Sequence, residues 1–316
     1  MKNSAVKKIL LIINPNSGQG KKDIGIIRKY FTKKKCQLDI IHTEYKGHAA
    51  EISKKYSSDD TYDVIVGAGG DGTINEVITG LIGSDKKIGI IPWGTGNVFA
   101  REMNIPLKTK KACKVILKGK PVKIDIGRSN SGYFFLMCSA GFDAYTIKHT
   151  ESLKIKKIFG KFTYIIGGIK AVLKYNYPLI NVEFDDGSTE IGVFILISNT
   201  ARYGSYFTIS PDATPVDGFF DVYIYRLPGK FNLLKLLFQI ILNAFTGTNK
   251  KIILKEGMYK KARKLVLKSE SNVLSQLDGD IHDLLPLKIN LIPQAVNIVL
   301  PKKITGKLIR LQNKNN

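Results

Sequence analysis

Cysteine is scarce in this chain of 316 residues, which contains only three. Their odd number and the lack of metal-ligand spacing argue against a disulfide framework and indicate a reduced, cytosolic chain. The four histidines form no HxxxH or HxH pair, which argues against a zinc site. No apolar run reaches the roughly 18 residues of a membrane span. The first such run, KKILLII, leads into a glycine turn, as a buried strand does, and not into a signal-peptide cleavage site.

Acidic residues are also few, since 26 Asp and Glu face 49 Lys and Arg and leave a net charge of +23. A field of this size attracts anionic lipid, nucleic acid or nucleotides. The lysine content has an alternative origin in genome composition, but the positive field exists in either case. No RNA-recognition motif, zinc finger or basic zipper occurs, so we expect no specific nucleic-acid partner.

The pattern of the chain changes near residue 124. Before this point apolar strands alternate with helical segments, which predicts a parallel sheet with right-handed crossovers. After it, apolar runs are separated by turn residues such as Asp186-Gly187, which predicts an antiparallel sandwich. We therefore predict a Rossmann-like α/β nucleotide-binding domain over 1–124 and a β-sandwich domain over 125–300. The tail 301–316 is a candidate to return to the first domain.

The individual elements of the first domain follow from the same periodicity. Its predicted strands lie near 7–13, 37–42, 62–66 and 88–91, and its predicted helices lie near 19–34, 46–57, 73–82, 97–103 and 108–118. Two further helices are predicted in the second domain, at 152–175 and 230–246. The second of these is apolar enough to be either a membrane-surface element or a helix packed on the sandwich.

Three glycine-rich turns follow apolar strands of the first domain: NPNSG at 14–18, GGDGT at 69–73 and GTGN at 94–97. The carboxyl ends of parallel strands share one sheet edge, where open α/β sheets bind ligands. Glycine lets the backbone approach a ligand closely, and the amides at a helix N-terminus attract anions. The three turns together predict a phosphate cradle for a nucleotide.

The second turn has two other interpretations. Residues 67–72 also match the dinucleotide pattern GxGxxG, but the next strand ends in Ile-Pro-Trp without the acid that would hold a ribose. A carboxylate at Asp71 would repel a pyrophosphate unless a cation such as Mg²⁺ lay between them, which favours a metal-bound triphosphate. Thr73 and Glu76 match a helix capping box, so for them capping and ligand contact remain open.

The combination of NPNSG, GGDGTINEV, PWGTGNVFARE and a distal QLDGD resembles the diacylglycerol kinase catalytic-domain family, which includes bacterial lipid kinases and the sphingosine and ceramide kinases. The resemblance extends to about residue 300. It implies a nucleotide domain followed by a β-sandwich, with the active site between them. It also implies ATP-dependent phosphorylation of a lipid alcohol such as diacylglycerol at an anionic inner-membrane surface, and it allows a homodimer.

The resemblance also implies the residues of the ATP site and of the catalytic Mg²⁺. Asp71 would face this Mg²⁺ in addition to its place in the second turn. The implied ATP-binding residues are Asn14, Pro15, Asn16, Ser17, Gly18, Thr43, Gly69, Gly70, Asp71, Gly72, Thr73, Asn75 and Thr95.

In the second domain the resemblance points to acidic residues. The family's catalytic base is the Glu of a DGE turn, and the matching residue here is Asp280, which is one methylene shorter. A base misplaced by about 1 Å can lose on the order of 100-fold in rate, and a plain hairpin turn is the alternative. A second Mg²⁺ would bind the Asp217 carboxylate and the carbonyls of Thr214 and Phe219. Asp125 would link this site to the first domain.

Two rival functions stay open on the sequence. An NAD-type kinase shares the GGDGT motif but is disfavoured by the GTGN segment. A catalytically degenerate, nucleotide-binding regulatory protein would explain the departure at Asp280. The expected function is an ATP- and Mg²⁺-dependent lipid kinase, with these two functions as its alternatives.

Overall fold

The computed structural model describes residues 8–18, 20–151, 171–204, 207–246 and 257–315. The chain divides into two compact units: unit 1 comprises Met1–Ile126 and Pro293–Asn316, and unit 2 comprises Gly127–Ile292. Within the described residues, no helix is both long and apolar enough to cross a bilayer.

Unit 1 is built on a parallel sheet with the strand order β2-β1-β3-β4. Its strands are β1 (Lys8–Ile13), β2 (Gln37–His42), β3 (Val64–Gly69) and β4 (Lys87–Pro92). The last residues of the long strand β18 (Leu287–Leu300) continue the sheet in parallel beside β4. β1, β3 and β4 are almost wholly buried, as expected of strands covered on both faces.

Helices connect these strands in the predicted alternation. They are α1 (Gly20–Lys33), α2 (His48–Lys55), α3 (Asp71–Gly80), α4 (Val98–Glu102) and α5 (Thr109–Lys118). One core cluster joins Phe31 of α1 and Ile116 of α5 to the central strands. The strand predicted at 62–66 lies later, at 64–69, because its glycines pair with β4 as far as Gly69 opposite Pro92.

The C-terminal segment belongs to unit 1. Helix α8 (Lys302–Asn315) buries Leu308, and the amide of Gln312 donates to the Lys123 carbonyl at 2.7 Å. Lys123 lies on β5 (Lys120–Arg128), which leads into unit 2.

Unit 2 is antiparallel. One sheet has the order β14-β13-β10-β7-β16-β17, and the other ladder joins the first residues of β18 to β15, β8 and β9. The core between them contains Phe134, Ile195, Val222, Leu265 and Ile289. The described strands are β6 (Tyr133–Phe134), β7 (Met137–Gly141), β8 (Ile180–Phe184), β9 (Thr189–Gly192), β10 (Phe194–Ser198), β11 (Arg202–Tyr203), β12 (Phe207–Thr208), β13 (Phe220–Tyr225), β14 (Gly257–Ala262), β15 (Lys264–Lys268), β16 (Leu274–Leu277) and β17 (Asp280–Leu284). The predicted fold class, an α/β unit followed by a β-sandwich, is confirmed.

Two helices accompany the sandwich. α6 (Phe142–Glu151) follows β7 directly, and α7 (Lys230–Thr246) confirms the helix predicted at 230–246. The other predicted helix, 152–175, lies mostly outside the described residues.

Candidate active site

The three glycine turns of unit 1 begin at one edge of its sheet. Ile13 of β1 lies opposite Ala68 of β3, and Gly69 of β3 lies opposite Pro92 of β4, with all strands parallel. The segments that follow these strand ends therefore leave the sheet side by side. This is the edge at which α/β sheets bind their ligands.

Direct hydrogen bonds join the first turn to the second. Asn14 donates its backbone N–H to the Ala68 carbonyl at 3.1 Å and its side-chain amide to Thr73 Oγ1 at 3.1 Å. The Asn14 Oδ1 atom in turn accepts the backbone N–H of Asn16 at 2.9 Å. Asn14 therefore orients its own turn against the first turn of α3, and two predicted ATP-site residues are brought together.

The second and third turns touch through their glycines. Trp93 donates its backbone N–H to the Gly69 carbonyl at 2.8 Å, and a Cβ added to Gly94 would lie 2.5 Å from the Gly70 Cα. A Cβ on Gly69 would lie 2.5 Å from the Thr73 side chain. The protein's own packing thus requires glycine at positions 69 and 94, whether or not a ligand binds, whereas a Cβ on Gly70 would lie at an ordinary 3.4 Å from the Gly94 Cα.

Gly18 and Gly72 have no such requirement. A Cβ on Gly72 would meet nothing within 4 Å, and one on Gly18 would meet only the Trp93 carbonyl, at 4.0 Å. Both residues are exposed, and neither has a positive φ. No contact within the protein explains why positions 18 and 72 are glycine. A phosphate bound close to the backbone would explain it, because a side chain there would keep the phosphate away from the amides at a helix N-terminus.

Asn97 closes the third turn, and sequence reasoning did not single it out. Its side chain accepts the Gly94 N–H at 2.9 Å and donates to the Gly94 carbonyl at 2.6 Å. Its φ of 48° is left-handed, a conformation that asparagine tolerates better than most residues. The sequence feature that could have identified Asn97 is its position directly after Gly94-Thr95-Gly96. Thr95, the predicted ligand contact, is exposed at the tip of this turn.

Asp71 lies over the N-terminus of α4. Its carboxylate accepts the Phe99 N–H at 3.4 Å. Burial raises the pKa of Asp71 above its ordinary value, while hydrogen bonds from the backbone of Val98, Phe99 and Asn97 work in the opposite direction. Asp71 thus stabilises the third turn and α4 from the second turn, a structural role beside the predicted catalytic one.

The proposed capping box on α3 is wrong. The residue that caps α3 is Gly70, without any side-chain bond. Glu76 instead accepts the N–H groups of Gly47 at 2.9 Å and Ala49 at 3.2 Å, so it caps the start of α2. Thr73 accepts the amide of Asn14. A capping motif read from spacing was overridden because α2 and α3 pack against each other.

Three other candidates of unit 1, Thr43, Asn75 and Asp125, form hydrogen bonds within the unit. The buried Thr43 follows β2 and donates its N–H to the Ile13 carbonyl at 2.8 Å, and Asn75 accepts the Thr79 hydroxyl at 3.2 Å. Asp125 is buried and accepts the N–H of Gln294, a residue with a φ of 49°, at 2.8 Å. Asp125 therefore holds a left-handed residue of β18 in place.

The Asp-Gly-Asp segment of unit 2 is a hairpin in which the two acids differ. Asp278 and Gly279 have φ values of 50° and 97° and form the two-residue loop between β16 and β17. The Asp278 carboxylate accepts three backbone N–H groups from residues 135–137, each at 2.9 Å. Asp280 opens β17 with its side chain exposed. Asp278 anchors the turn, and Asp280 is presented to solvent.

A buried acid behind this hairpin escaped sequence reasoning. Asp143, in the first turn of α6, accepts the hydroxyl of Ser139 at 2.5 Å, the amide of Gln276 at 3.2 Å and the hydroxyl of Tyr203. Burial raises the pKa of Asp143 to about 6, against these hydrogen bonds. Gln276 also accepts the Gly279 N–H at 2.7 Å, which links Asp143 to the turn that carries Asp280. The sequence feature that could have identified Asp143 is its position inside the apolar run CSAGFDA.

The predicted Mg²⁺ loop is held differently from expectation. The Asp217 carboxylate lies 2.5 Å from the Lys261 ammonium and also accepts the Phe219 N–H at 3.1 Å. Thr214 Oγ1 is buried without a hydrogen-bond partner. Within the described residues, no cluster of three or more His, Cys, Asp or Glu side chains is arranged to hold a metal. The one carboxylate of the predicted donor set is thus bonded to an ammonium group and, as it stands, is not available to a divalent cation.

The candidates thus fall into two groups. All of the predicted ATP-site residues, together with Asp125, belong to unit 1, whereas Asp280 and the loop residues Thr214, Asp217 and Phe219 belong to unit 2. Their convergence on one cleft stays a prediction.

Comparisons with known proteins cover both units. Residues 8–129 match the family described as "Diacylglycerol kinase catalytic domain", and residues 137–300 match "YegS C-terminal NAD kinase beta sandwich-like domain". A protein named diacylglycerol kinase from Staphylococcus carnosus is 31% identical over 304 residues, covering 94% of this chain and 96% of that protein. A protein of the same name from Bacillus subtilis is 28% identical over 310 residues, covering 96% and 99%.

Solved structures agree on the fold. A crystal structure described as a diacylglycerol kinase from Bacillus anthracis superposes with a TM-score of 0.72 at 20% identity, covering 96% of this chain and all of that one. Both units, the motifs and a relative above 30% identity point the same way, and the chain belongs to the diacylglycerol kinase family of kinases.

Proposed function

We propose that this protein transfers the γ-phosphoryl group of ATP to the hydroxyl of a lipid alcohol, with diacylglycerol as the foremost candidate and phosphatidic acid as the product. The observation that carries the proposal is the set of three linked glycine turns, in which Gly18 and Gly72 stay open without an internal reason. The name of the staphylococcal and Bacillus relatives supports diacylglycerol as the substrate.

The nucleotide would enter as MgATP, with its metal ion as part of the substrate. Backbone N–H groups of the turns and of the α3 N-terminus would bind the phosphates, since they point toward an anion at this position. Thr95, exposed on the third turn, would add a hydroxyl contact. Asn14 and Asn97 would keep the turns in register, because each is bonded to backbone or side chain across a turn.

The chemical step needs a base for the lipid hydroxyl. The hydroxyl oxygen bonds to the γ-phosphorus, the bond from that phosphorus to the β–γ bridging oxygen breaks, and ADP leaves. Asp280 accepts the hydroxyl proton, a role worth about 10²–10⁴-fold in such reactions. Its exposure at the start of β17 and the firm anchoring of the turn by Asp278 suit that role.

The lipid would be met at a membrane surface, with the enzyme bound peripherally to the inner face from the cytoplasm. α7 buries Leu233 and Leu236 but leaves Phe231 81% and Phe238 66% exposed. An apolar stripe on a chain with a net charge of +23 suits an anionic lipid surface. The buried face of this helix packs within the protein, and the exposed face would be the one that meets the membrane.

The catalytic test is phosphate transfer from labelled ATP to mixed micelles that carry a panel of lipid alcohols. We expect transfer by the wild type, a loss of at least about 100-fold in Asp280→Asn, and retention in Asp280→Glu. Asp283→Asn is the matched control, since Asp283 lies on the same strand and bonds the Ser131 hydroxyl. Bound nucleotide without transfer by the wild type or by Asp280→Glu would favour the regulatory function and contradict the proposal.

The membrane test is cosedimentation with phosphatidylglycerol vesicles, compared with phosphatidylcholine vesicles. Replacing both Phe231 and Phe238 by Ser should weaken binding to the anionic vesicles at least about tenfold, because two large apolar side chains no longer leave water. Ile191→Ser, at another exposed apolar residue, is the control. Equal binding by all three proteins would exclude α7 as the docking element.

A further inference from the structure

The loop that ends at β13 contains two buried carboxylates within reach of one lysine. The side chains of Asp217 and Asp221 are 7% and 5% exposed. Lys261 stands directly opposite Asp221 in the antiparallel pair of β13 and β14. Its ammonium nitrogen is 2.5 Å from Asp217 Oδ2 and 3.4 Å from Asp221 Oδ2. One cation thus bridges both acids.

A second cation holds the backbone of the same loop. Arg263 donates its Nε–H to the Gly218 carbonyl at 3.1 Å, and its guanidinium lies 4.4 Å from the centre of the Phe219 ring. Carboxylate and carbonyl oxygens are the ligands that a hard divalent cation prefers. Here the carboxylates of Asp217 and Asp221 pair with the Lys261 ammonium, and the Gly218 carbonyl accepts from Arg263.

Burying two carboxylates this close together costs free energy unless a counter-charge lies beside both of them. We propose that the Lys261 ammonium is the built-in cation of this loop, taking the place of a divalent metal ion, so that the loop folds without one. The inference goes beyond the proposed function, because it concerns how unit 2 holds its acidic loop and not what the protein phosphorylates.

One feature of the loop would instead suit a metal. Two buried oxygens, Thr214 Oγ1 and Asp221 Oδ2, have no hydrogen-bond partner, as oxygen ligands without their ion would, and the Lys261 ammonium approaches Asp221 Oδ2 only to 3.4 Å. The two explanations make opposite statements about the wild type. If lysine is the cation, Mg²⁺ adds nothing; if a metal is the cation, Mg²⁺ displaces the lysine and stabilises the protein.

The experiment is thermal unfolding of the full chain in EDTA and in excess MgCl₂, without nucleotide or lipid. We expect the wild type to unfold at the same temperature in both. Lys261→Met should lose on the order of 5–10 °C in EDTA, since a buried carboxylate pair is left without its partner, and Mg²⁺ should restore most of that loss. Adding Asp217→Asn to Lys261→Met should abolish the restoration.

Matched variants separate this effect from a general loss of charge. Lys260→Met removes the neighbouring lysine on β14, which pairs with the exposed Asp186 at 2.6 Å and lies 4.4 Å from the centre of the Phe184 ring; it should lose less stability than Lys261→Met and be indifferent to Mg²⁺. Lys261→Arg keeps the cation and should remain indifferent to Mg²⁺, which provides a readout if Lys261→Met does not fold. Stabilisation of the wild type by Mg²⁺, or of Lys261→Arg, would overturn the proposal, as would a Lys261→Met protein as stable in EDTA as Lys260→Met. Because no substrate is present, failure here leaves the kinase proposal untouched, and failure of the kinase proposal leaves this one standing.

Discussion

The two units hold their candidate residues in different ways. In unit 1 the glycine turns meet because parallel strands end at one sheet edge, and short side chains such as Asn14 and Thr73 join neighbouring turns. In unit 2 Asp278, Asp143 and Asp217 are each held by a partner far along the chain, as Asp278 is by residues 135–137. Backbone register therefore places the first group, and individual side-chain pairs place the second. Substitutions in the glycine turns should therefore disturb the backbone of unit 1, whereas substitutions of single partners should release individual acids of unit 2.

The largest expected effect is that of Asp278→Ala in unit 2. It removes a charged acceptor from three backbone N–H groups, each of them worth roughly 1.5–3 kcal/mol, so we expect a loss of about 5 kcal/mol in the free energy of unfolding. Urea denaturation measures this loss. Asp280→Ala, two residues away and exposed, should cost less than about 1 kcal/mol. Equal costs for both would mean that the hairpin does not depend on its anchor.

A pH-dependent effect of similar size is expected at Asp143. Burial raises its pKa from 3.8 to about 6 in the folded protein. The folded state therefore binds this proton more tightly than the unfolded chain, and the resulting stability is complete below about pH 4 and lost as the pH rises through 6. The difference corresponds to about 3 kcal/mol.

Asparagine at position 143 does not titrate, so the stability of Asp143→Asn relative to the wild type should rise by about 3 kcal/mol between pH 4 and pH 7. Urea unfolding at a series of pH values tests this. A difference that stays constant across the range would show that Asp143 keeps its ordinary pKa.

The turns of unit 1 are tested by Gly94→Ala. The new Cβ would lie 2.5 Å from the Gly70 Cα, so the second and third turns must move apart. A displacement of about 1 Å in a site can cost on the order of 100-fold in rate, and we expect a fall of this size in phosphoryl transfer.

Gly25→Ala is the matched control for Gly94→Ala, since a Cβ there meets nothing within 4 Å on the exposed side of α1. Alanine in that helix should raise stability by about 0.5–1 kcal/mol and leave transfer unchanged. Normal activity in Gly94→Ala would contradict the close contact of the two turns.

The smallest effect concerns Glu76, which caps α2 from α3. Glu76→Ala leaves two N–H groups at that helix start without their acceptor and should cost about 1 kcal/mol. Glu76→Gln keeps one acceptor oxygen and should cost about half as much. If Glu76→Ala is neutral in urea denaturation, water replaces the cap without loss.

Much of unit 1 could be predicted from the sequence because its signals are local. Apolar runs that lead into glycine turns predict buried parallel strands and the turns after them, and three such strands, β1, β3 and β4, are present near the predicted positions. The apolar helix at 230–246 was also predicted from its own composition. The sequence did not predict the roles of Asn97 and Asp143, because each role depends on the groups that the folded chain brings within hydrogen-bond distance of the side chain.

Predictions from residue spacing were wrong where an element distant in the sequence binds the side chain in question. Thr73 and Glu76 have the separation of a capping box, yet Asn14 and α2 take them up. Asp217 has the position of a metal ligand in the resembled family, yet Lys261 is bonded to it from 44 residues away.

By itself, the sequence determined the fold class, the alternation of elements in unit 1 and the placing of three glycine turns at strand ends. Those features follow from hydrophobic periodicity and glycine, which act within a few residues. Only the tertiary structure decided which partner each acid binds: Asp71 at α4, Asp278 at residues 135–137 and Asp217 at Lys261. Hydrogen bonds and ion pairs act over about 3 Å in space, and strand register, not sequence distance, brings their partners within that range.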